Sequence, residues 1–519
     1  MTEGHTERGT WGSSVGFILA AAGSAVGLGN IWRFPYVVGE NGGGAFVLLY
    51  ILCVVFICAP VMIAELALGR HTQRNPVGAF RTLVPGSPWK VIGALGVLTG
   101  VGILSFYSVV AGWTLQYAVR SVVTPNYIRY SQEEAERVWT DFSSDPENLR
   151  RALAEEGIIT QDAGSPSDEQ VRTIWQQFTS EPRFGVFREK MLGRLHNRAL
   201  FEQFASHPFL PTVYLLMFIL LTGAVVAGGV GAGIERWSRI LMPILFVLLL
   251  VLAVRAVTLP GASRGLAFYL KPELSKLSVE AFARALGQAF FSLSLGMGTI
   301  LTYGSYLSRR ENIIRSAGWI CLSDTLVAFI AGLVIFPTLF AMGFRPDAGV
   351  SLAFVVLPSI FAHMPAGALF GAAFFLLLCV AALTSTISLL EVPVAYLVDE
   401  HHWGRKSAVV ATCAVAFLLG IGSALSTGAV PVLTRIPGVG VGVLEFLNAL
   451  FGNYALSVGA LGIALFVGYR WGIRAVAAEI EQHGNKFLFR GIWSVLIRYV
   501  SPLGIAIVLA YILITGKYF

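Results

Sequence analysis

The chain has 519 residues, of which 55% are hydrophobic and only 13% are charged, and its formal net charge is +7. A soluble protein of this length has a much larger charged fraction, so the composition excludes that class and predicts a helical membrane protein. The apolar runs are continuous and do not alternate, which argues against a membrane β-barrel.

Eleven apolar stretches are long enough to cross a membrane, and we call them spans 1 to 11 in chain order. They lie near residues 14–38, 44–69, 91–122, 208–229, 237–258, 279–306, 314–341, 366–398, 407–424, 444–468 and 490–514. Basic residues favour the short loops that follow the even-numbered spans, so they indicate membrane orientation and not nucleic-acid binding. We expect a multi-pass protein of the cell membrane with a cytoplasmic N-terminus and an extracellular or periplasmic C-terminus.

Span 1 contains an anomaly at residues 22–34, Ala-Gly-Ser-Ala-Val-Gly-Leu-Gly-Asn-Ile-Trp-Arg-Phe. Three glycines and a serine fall between Gly23 and Gly29, which predicts a helix broken at mid-membrane. Hydrocarbon cannot satisfy the amides and carbonyls that such a break exposes. They must line a cavity or hold a ligand, and we expect that ligand to be a cation together with a carboxylate.

Residues 124–207 differ in character from the spans, because they carry many charges of both signs. Amphipathic patterns at residues 132–142, 168–178 and 187–204 predict short helices with one apolar face. This segment is too polar to span a membrane, so we expect a folded outer loop.

Span 6 repeats the anomaly of span 1 at residues 291–298, Phe-Ser-Leu-Ser-Leu-Gly-Met-Gly. Two broken helices that each head a set of five spans are typical of an inverted repeat with a ligand site at the repeat interface. The predicted fold is therefore an all-α polytopic membrane protein with 11 transmembrane helices in a 5+5 inverted repeat. Its segments would be a cytoplasmic tail (1–13), a first repeat (14–258) that includes the outer loop (124–207), a second repeat (259–472), and an amphipathic connector with span 11 (473–519).

Three motifs resemble the neurotransmitter:sodium symporter family. The first is residues 23–35, Gly-Ser-Ala-Val-Gly-Leu-Gly-Asn-Ile-Trp-Arg-Phe-Pro, followed by residues 40–46; the second is residues 291–296 with 302–306; the third is Leu-Thr-Ser-Thr at residues 383–386. They lie in order on spans 1, 6 and 8, and the similarity runs from about residue 8 to residue 514. The resemblance implies sodium-coupled uptake of an amino acid or an amine by alternating access. Many members have twelve spans, whereas some bacterial members have eleven, as predicted here.

The resemblance implies two sodium sites. Sodium needs about five or six hard oxygen ligands, which unwound backbone and hydroxyl or amide side chains supply. The first site would use the Ala25 carbonyl, Asn30, Ser292, Asp324 and the substrate carboxylate. The second would use the carbonyls of Gly23, Val26 and Ala381 with the side chains of Thr384 and Ser385. A single membrane Ser or Thr more often bonds back to its own helix, but an adjacent pair beside two broken helices favours sodium.

Asp324 is the most informative single residue. An ionised carboxylate at mid-membrane is costly and usually functional. Family members commonly have Asn at this position and depend on chloride, held partly by a serine four residues later, where this chain has Ala328. We therefore predict that Asp324 replaces chloride and that transport is chloride-independent. The alternative is a protonated Asp324 that is hydrogen-bonded in the core.

The resemblance also implies a substrate site. Its residues would be Ala25, Val26, Leu28, Gly29, Ile103, Tyr107, Phe291, Ser292, Ser294, Met297, Ser385 and Leu389. The amides of Leu28 and Gly29 and the hydroxyl of Tyr107 suit a carboxylate. Amine transporters of the family have an Asp where this chain has Gly27, so the ligand must bring its own carboxylate. A neutral L-amino acid fits, and the apolar lining favours a hydrophobic or aromatic one, although Phe291 and Met297 also suit ordinary helix packing.

Gate residues follow from the same resemblance. The inner gate would consist of Arg8, Asp399, Ser305 and Tyr306. The outer gate would contain Arg33, whose usual Asp partner is replaced here by Asn448, so Arg33 would contact Asn448 or pair with Glu445. Glu65 is expected to receive backbone amides of broken span 6, and Glu391 has no predicted role.

Three functions stay open from the sequence: a sodium:amino-acid symporter, an ion channel on the same scaffold, and a nutrient sensor that binds but does not transport. A membrane enzyme would need a reactive nucleophile–base pair, and the dispersed histidines supply none. The oligomeric state is likewise open.

Overall fold

The computed structural model describes residues 9–124, 130–155, 158–159, 166–344 and 352–516. Within these ranges the chain is almost entirely helical. Nine helices in the described part of the chain are long and apolar enough to cross a membrane: Gly44–Thr72, Lys90–Val123, Leu210–Ala227, Val230–Val257, Ile313–Ala341, Gly367–His401, Arg405–Leu425, Val443–Ile480 and Arg490–Thr515. They correspond to spans 2 to 5 and 7 to 11, and the last turns of Val443–Ile480 include part of the expected amphipathic connector.

Span 1 is broken as predicted. It consists of two helices, Ser14–Ala25 and Gly29–Glu40, whose axes differ by 49°. The first helix is capped by the Ser13 hydroxyl, which accepts the Gly16 amide at 2.9 Å, and it ends where Val26 turns to extended backbone (φ −78°, ψ 97°). The backbone amides and carbonyls of the break therefore lack the hydrogen bonds of a continuous helix and face the protein interior.

Span 6 is broken as well. The helix Val279–Ser292 is separated from the helix Thr299–Gly304 by residues 293–298. Ser294, Gly296 and Gly298 have positive φ angles of 54°, 79° and 78°. Gly296 is also packed so closely that a Cβ atom would lie 2.7 Å from the Ala460 amide nitrogen. Only glycine meets both conditions without strain.

The total of eleven spans stays a prediction, because each half of span 6 is too short to cross a membrane alone. The division into two five-helix repeats is likewise still a prediction. Shorter helices connect the spans: Pro76–Leu83, Ala262–Leu270, Leu274–Lys276, Pro431–Thr434 and Gln482–Gly484.

The described residues form two compact units. Of the described residues, the larger comprises 9–118, 205–344 and 373–516, and it contains every described site residue discussed below. The smaller comprises residues 119–204 and 350–372. Its helices are Gln132–Ser144, Pro146–Glu155, Asp168–Thr179, most of Phe184–Ala205, and Leu352–His363.

The smaller unit has its own apolar core, which includes Phe142, Leu153, Trp175, Phe178 and Phe187. Two of its helices begin with reciprocal capping boxes: Ser131 with Glu134, and Ser167 with Gln170. The amphipathic helices predicted for the outer loop are thus present, and their apolar faces pack together.

Candidate functional site

A cavity lies where the breaks of spans 1 and 6 meet spans 3 and 8. It is lined by Ser24, Ala25, Gly27, Gly29, Ile103, Tyr107, Phe291, Ser292, Ser294, Met297, Ser385 and Leu389. The structure thus brings together every predicted substrate residue except Val26 and Leu28, and it adds Ser24 and Gly27. Backbone from both breaks faces this cavity, so helix interruption and cavity formation are one structural feature.

Asp324 is fully buried beside the cavity and accepts three side-chain hydrogen bonds. One carboxylate oxygen accepts Asn30 Nδ2 at 2.8 Å and Ser292 Oγ at 2.7 Å, and the other accepts the Tyr50 hydroxyl at 2.9 Å. Asn30 and Ser292 belong to the first predicted sodium site. Three of its predicted ligands therefore meet within hydrogen-bonding distance, with Ala25 in the lining of the same cavity.

Two neighbours of this site were missed in the sequence. Tyr50 is a buried polar aromatic residue in the otherwise apolar span 2. Gln288 donates to the Gly29 carbonyl at 2.8 Å and is 1% exposed. Gln288 precedes Ser292 by one helical turn, so it shares that residue's helix face. That spacing is the signal that could have identified it.

The residues predicted for the second sodium site also lie close together. Thr384 Oγ1 lies 3.0 Å from the Ala381 carbonyl and 3.4 Å from the Val26 carbonyl. Ser385 Oγ lies 3.3 Å from the Ala381 carbonyl. A Cβ atom on Gly23 would be 3.3 Å from Thr384 Cβ, so span 1 and span 8 approach closely here. All five predicted members thus lie at one junction of the two spans.

The amide at the break of span 1 already has a partner in this structure. The Leu28 amide donates to the Tyr107 hydroxyl oxygen at 2.9 Å. Tyr107 and Phe291 lie with ring centroids 6.5 Å apart, across the cavity. The Tyr107 oxygen is the acceptor in the bond from Leu28, and the same hydroxyl also interacts with the Ser385 side chain.

Gly27 lies at the most crowded point of the cavity. A Cβ atom there would clash with Ser385 Oγ and lie 2.7 Å from the Tyr107 hydroxyl. No side chain fits at this position without displacing Ser385 or Tyr107. The site therefore has no room for a protein carboxylate at Gly27.

Serine hydroxyls form a buried chain on the other side of the break. Ser24 Oγ donates to Ser388 Oγ at 2.7 Å, and Ser294 Oγ donates to the Ser24 carbonyl at 3.0 Å. These bonds join spans 1, 6 and 8 directly. Neither Ser24 nor Ser388 was among the predicted site residues, since serines in apolar helices commonly bond only to their own backbone.

The outer side differs from the sequence expectation. Among the described residues, Arg33 pairs with neither Asn448 nor Glu445, and its guanidinium lies over the Phe291 ring at 4.8 Å from the centroid. The Asn448 carbonyl instead accepts Asn453 Nδ2 at 3.0 Å. The reason is chemical: without a carboxylate at position 448, the aromatic face is the electron-rich partner within reach.

The residues predicted for the inner gate have separate sets of partners. The Tyr306 hydroxyl donates to Glu391 Oε1 at 2.6 Å, and Glu391 pairs with Arg405 at 2.5 Å. Asp399 accepts the Asn75 amide at 2.9 Å. Ser305 Oγ donates to the Thr302 carbonyl at 2.6 Å. Arg8 lies outside the described residues.

Glu391, which had no predicted role, is therefore the buried acceptor for Tyr306 and Arg405. The N-terminal segment closes over the same region: Trp11 Nε1 donates to the Tyr303 carbonyl at 3.0 Å, and the Gly12 amide donates to Glu235 Oε2 at 2.7 Å. The start of span 1 is thus attached to both span 6 and span 5.

Glu65 contacts the break of span 6 as expected. Its Oε1 accepts the Gly296 amide at 2.7 Å, and the residue is fully buried. Gly296 directly precedes Met297 in the cavity lining, so Glu65 supports the shape of the cavity from behind.

Three kinds of comparison with known proteins all point to sodium-dependent transporters. A family model described as the Sodium:neurotransmitter symporter family matches residues 8–518. The chain is similar to the Uncharacterized sodium-dependent transporter YhdH of Bacillus subtilis (strain 168), with 36% identity over 96% of both chains. It is 33% identical to an Uncharacterized sodium-dependent transporter of Haemophilus influenzae, over 98% of this chain and 99% of the relative. A crystal structure of MhsT in complex with L-phenylalanine matches with a TM-score of 0.77 and 39% identity, covering 97% of this chain and 99% of that one.

The fold, the two broken helices and the sodium-dependent relatives define a secondary transporter of the helical membrane class, not an enzyme. Within that class, the chain belongs to the sodium:neurotransmitter symporter family. The family predicted from the three sequence motifs is thereby confirmed.

Proposed function

We propose that this transporter couples inward sodium flow to the uptake of a neutral L-amino acid with a hydrophobic or aromatic side chain. The observation that carries the proposal is the cavity between the two breaks, whose lining residue Ser292 donates to the buried Asp324 carboxylate. A zwitterion and a cation are the ligands whose charges match such groups. Transport would proceed by alternating access around this fixed site.

Two sodium sites are proposed. The first would be formed by the Ala25 carbonyl, Asn30, Ser292 and Asp324, with the substrate carboxylate as a further ligand. The second would be formed by Thr384, Ser385 and three carbonyls of spans 1 and 8. Because the substrate would itself be a sodium ligand, each would raise the other's affinity by the same factor. This shared ligand is the proposed basis of coupling.

The amino acid is proposed from the shape and polarity of the cavity. Tyr107 and the first amides of Gly29–Glu40 would receive the carboxylate, and carbonyls of Ala25 and Phe291 would receive the amine. The crowding at Gly27 supports a ligand that brings its own carboxylate. Ile103, Met297 and Leu389 leave an apolar space for the side chain. The bound L-phenylalanine of MhsT is consistent with such a substrate.

Chloride independence is proposed as well. Asp324 would supply a fixed negative charge in place of chloride, and Asn30, Ser292 and Tyr50 all donate to its carboxylate. Ala328, one turn later, offers no group to hold an anion. Replacement of chloride by gluconate is expected to leave sodium-dependent uptake unchanged, and uptake that disappears in gluconate would contradict this part of the proposal.

The gates and orientation complete the proposal. Arg33, Phe291 and Tyr107 would close the outer side, and the network of Tyr306, Glu391 and Arg405 would close the inner side. The N-terminus would be cytoplasmic. An ion channel or a nutrient sensor on this scaffold remains an outcome that the uptake experiment at the end of the Discussion distinguishes.

A thermal-shift screen of the purified protein with the twenty amino acids tests the ligand class. Each amino acid is added in sodium or in potassium at equal ionic strength. Hydrophobic and aromatic amino acids are expected to stabilise the protein only in sodium. Equal stabilisation in potassium, or stabilisation by monoamines instead, would contradict the proposal.

A further inference from the structure

Two buried threonines join span 4 to span 8. Thr222 Oγ1 and Thr386 Oγ1 lie 2.8 Å apart, and the residues are 1% and 0% exposed. Each hydroxyl also lies 3.0 Å from a carbonyl of its own helix, Phe218 and Leu383 respectively. Two hydroxyl hydrogens serve three contacts, so one threonine donates across the helix interface while the other bonds back to its helix.

Thr386 lies on the side of span 8 that faces away from span 1. At 3.6 residues per turn it is rotated by about 200° from Thr384 around the helix axis. Thr384 and its neighbour Ser385 point at span 1, where they contact the carbonyls of Val26 and Ser24. Span 8 is therefore held on one face by span 4 while its opposite face presents the proposed sodium ligands.

A second attachment lies further inward on the same two helices. Arg405 Nε donates to the Val226 carbonyl of span 4 at 2.9 Å, and its guanidinium pairs with Glu391 of span 8. Val226 is four residues beyond Thr222, and Glu391 is five residues beyond Thr386. The two attachments are thus separated by about 6–7.5 Å along the helices. Two separate points of contact resist rotation of span 8 in a way that one point does not.

Rotation of span 8 would alter the proposed sodium site because spans 1 and 8 are packed too closely to tolerate a shift. A Cβ atom on Gly23 would lie 3.3 Å from Thr384 Cβ, and one on Gly27 would clash with Ser385 Oγ. A hydroxyl oxygen about 4 Å from the helix axis moves by roughly 0.7 Å when the helix turns by about 10°. A shift of that size changes an oxygen–sodium distance enough to weaken the bond.

We infer that Thr386, held by Thr222, is a positioning residue that sets the sodium-facing orientation of Thr384 and Ser385. The inference rests on the second sodium site of the proposed function. Neither threonine touches the ion: Thr222 is on a helix that contributes no ligand to the site, and Thr386 faces the other way. The pair affects the sodium site only by fixing how span 8 is rotated about its own axis.

The test uses the full-length protein in detergent and sodium alone as the probe. Thermal stability is measured while sodium replaces potassium at constant ionic strength, which gives the sodium concentration at half of the stabilisation. Thr386→Val and Thr222→Val keep the side-chain shape and remove the hydroxyl. Each is expected to raise the sodium midpoint about threefold, the effect typical of one interhelical hydrogen bond in a membrane protein. The double variant should show no more than the larger single effect, because both changes remove the same bond.

Two further variants separate positioning from general destabilisation. Thr386→Ser retains the hydroxyl and is expected to restore the wild-type midpoint. Thr412→Val removes a buried hydroxyl that donates to the Ala408 carbonyl of its own helix at 2.8 Å and has no other bond among the described residues; it should leave the midpoint unchanged. A folded Thr386→Val protein with the wild-type midpoint would overturn the inference. A wild-type protein that sodium and potassium stabilise equally would instead overturn the proposed sodium site itself.

Discussion

Gly27→Ala is the substitution that most sharply tests the geometry of the site. The added methyl group would clash with Ser385 Oγ and lie 2.7 Å from the Tyr107 hydroxyl. Both neighbours are buried, so at least one must move. Overpacking of this kind costs about 1–3 kcal/mol. If that cost falls on the bound state, the dissociation constant of the amino acid rises by roughly 5- to 150-fold.

The assay is sodium-dependent binding of the amino acid that gives the largest thermal shift in the screen. Gly318→Ala is the matched control, because that glycine is on span 7 and a Cβ atom there meets nothing within 4 Å. The control should bind as the wild type does. Gly27→Ala with unchanged affinity, in a protein as stable as the control, would refute the placement of the substrate between Tyr107 and span 8.

Three further substitutions follow from the same contacts. Tyr107→Phe removes the donor proposed for the substrate carboxylate, and binding should weaken by about 10-fold or more, since a hydrogen bond to a charged group contributes about 1.5–3 kcal/mol; unchanged affinity would exclude that role. Asp324→Asn should lower sodium-dependent uptake, and added chloride should not restore it because position 328 is alanine; chloride-stimulated uptake by this variant would contradict the reasoning. Arg405→Gln leaves the Glu391 carboxylate buried without its cation, which should destabilise the protein by about 3–5 kcal/mol. The double variant that also carries Glu391→Gln should recover much of the lost melting temperature. No recovery would show that the pair is not coupled.

The breaks in spans 1 and 6 could be predicted because their cause is local. Glycines and serines cluster within a few residues at both breaks. The cavity followed from the same signal, since exposed backbone in a membrane must be satisfied inside the protein. Most predicted substrate residues accordingly line one cavity.

The partners of Asp324 could be predicted only in part. Asn30 and Ser292 lie within recognisable motifs, whereas Tyr50 lies outside the three motifs and is 274 residues away from Asp324. A single polar aromatic residue in an apolar span does not reveal which distant carboxylate it contacts. That information exists only in the packing of spans 2 and 7.

Of the contacts near the two predicted gates, one could have been predicted from the sequence and one could not. Glu391 and Arg405 are only 14 residues apart, on either side of a short loop, so their pairing could have been proposed from the sequence. The contact between Arg33 and Phe291 could not have been proposed in this way. With Asn448 in place of a carboxylate, the sequence offered two polar partners, and the structure instead places the guanidinium over Phe291. Cation–aromatic contacts leave no complementary charge for sequence reasoning to find.

Uptake into sealed proteoliposomes tests the central claim most directly. The purified protein is reconstituted with potassium inside and sodium outside, and the amino acid chosen by the thermal-shift screen is followed over time. The proposed symport predicts an internal concentration above the external one, which collapses when an ionophore dissipates the sodium gradient. An internal concentration that never exceeds the external one, or sodium-dependent binding without any uptake, would contradict sodium-coupled transport.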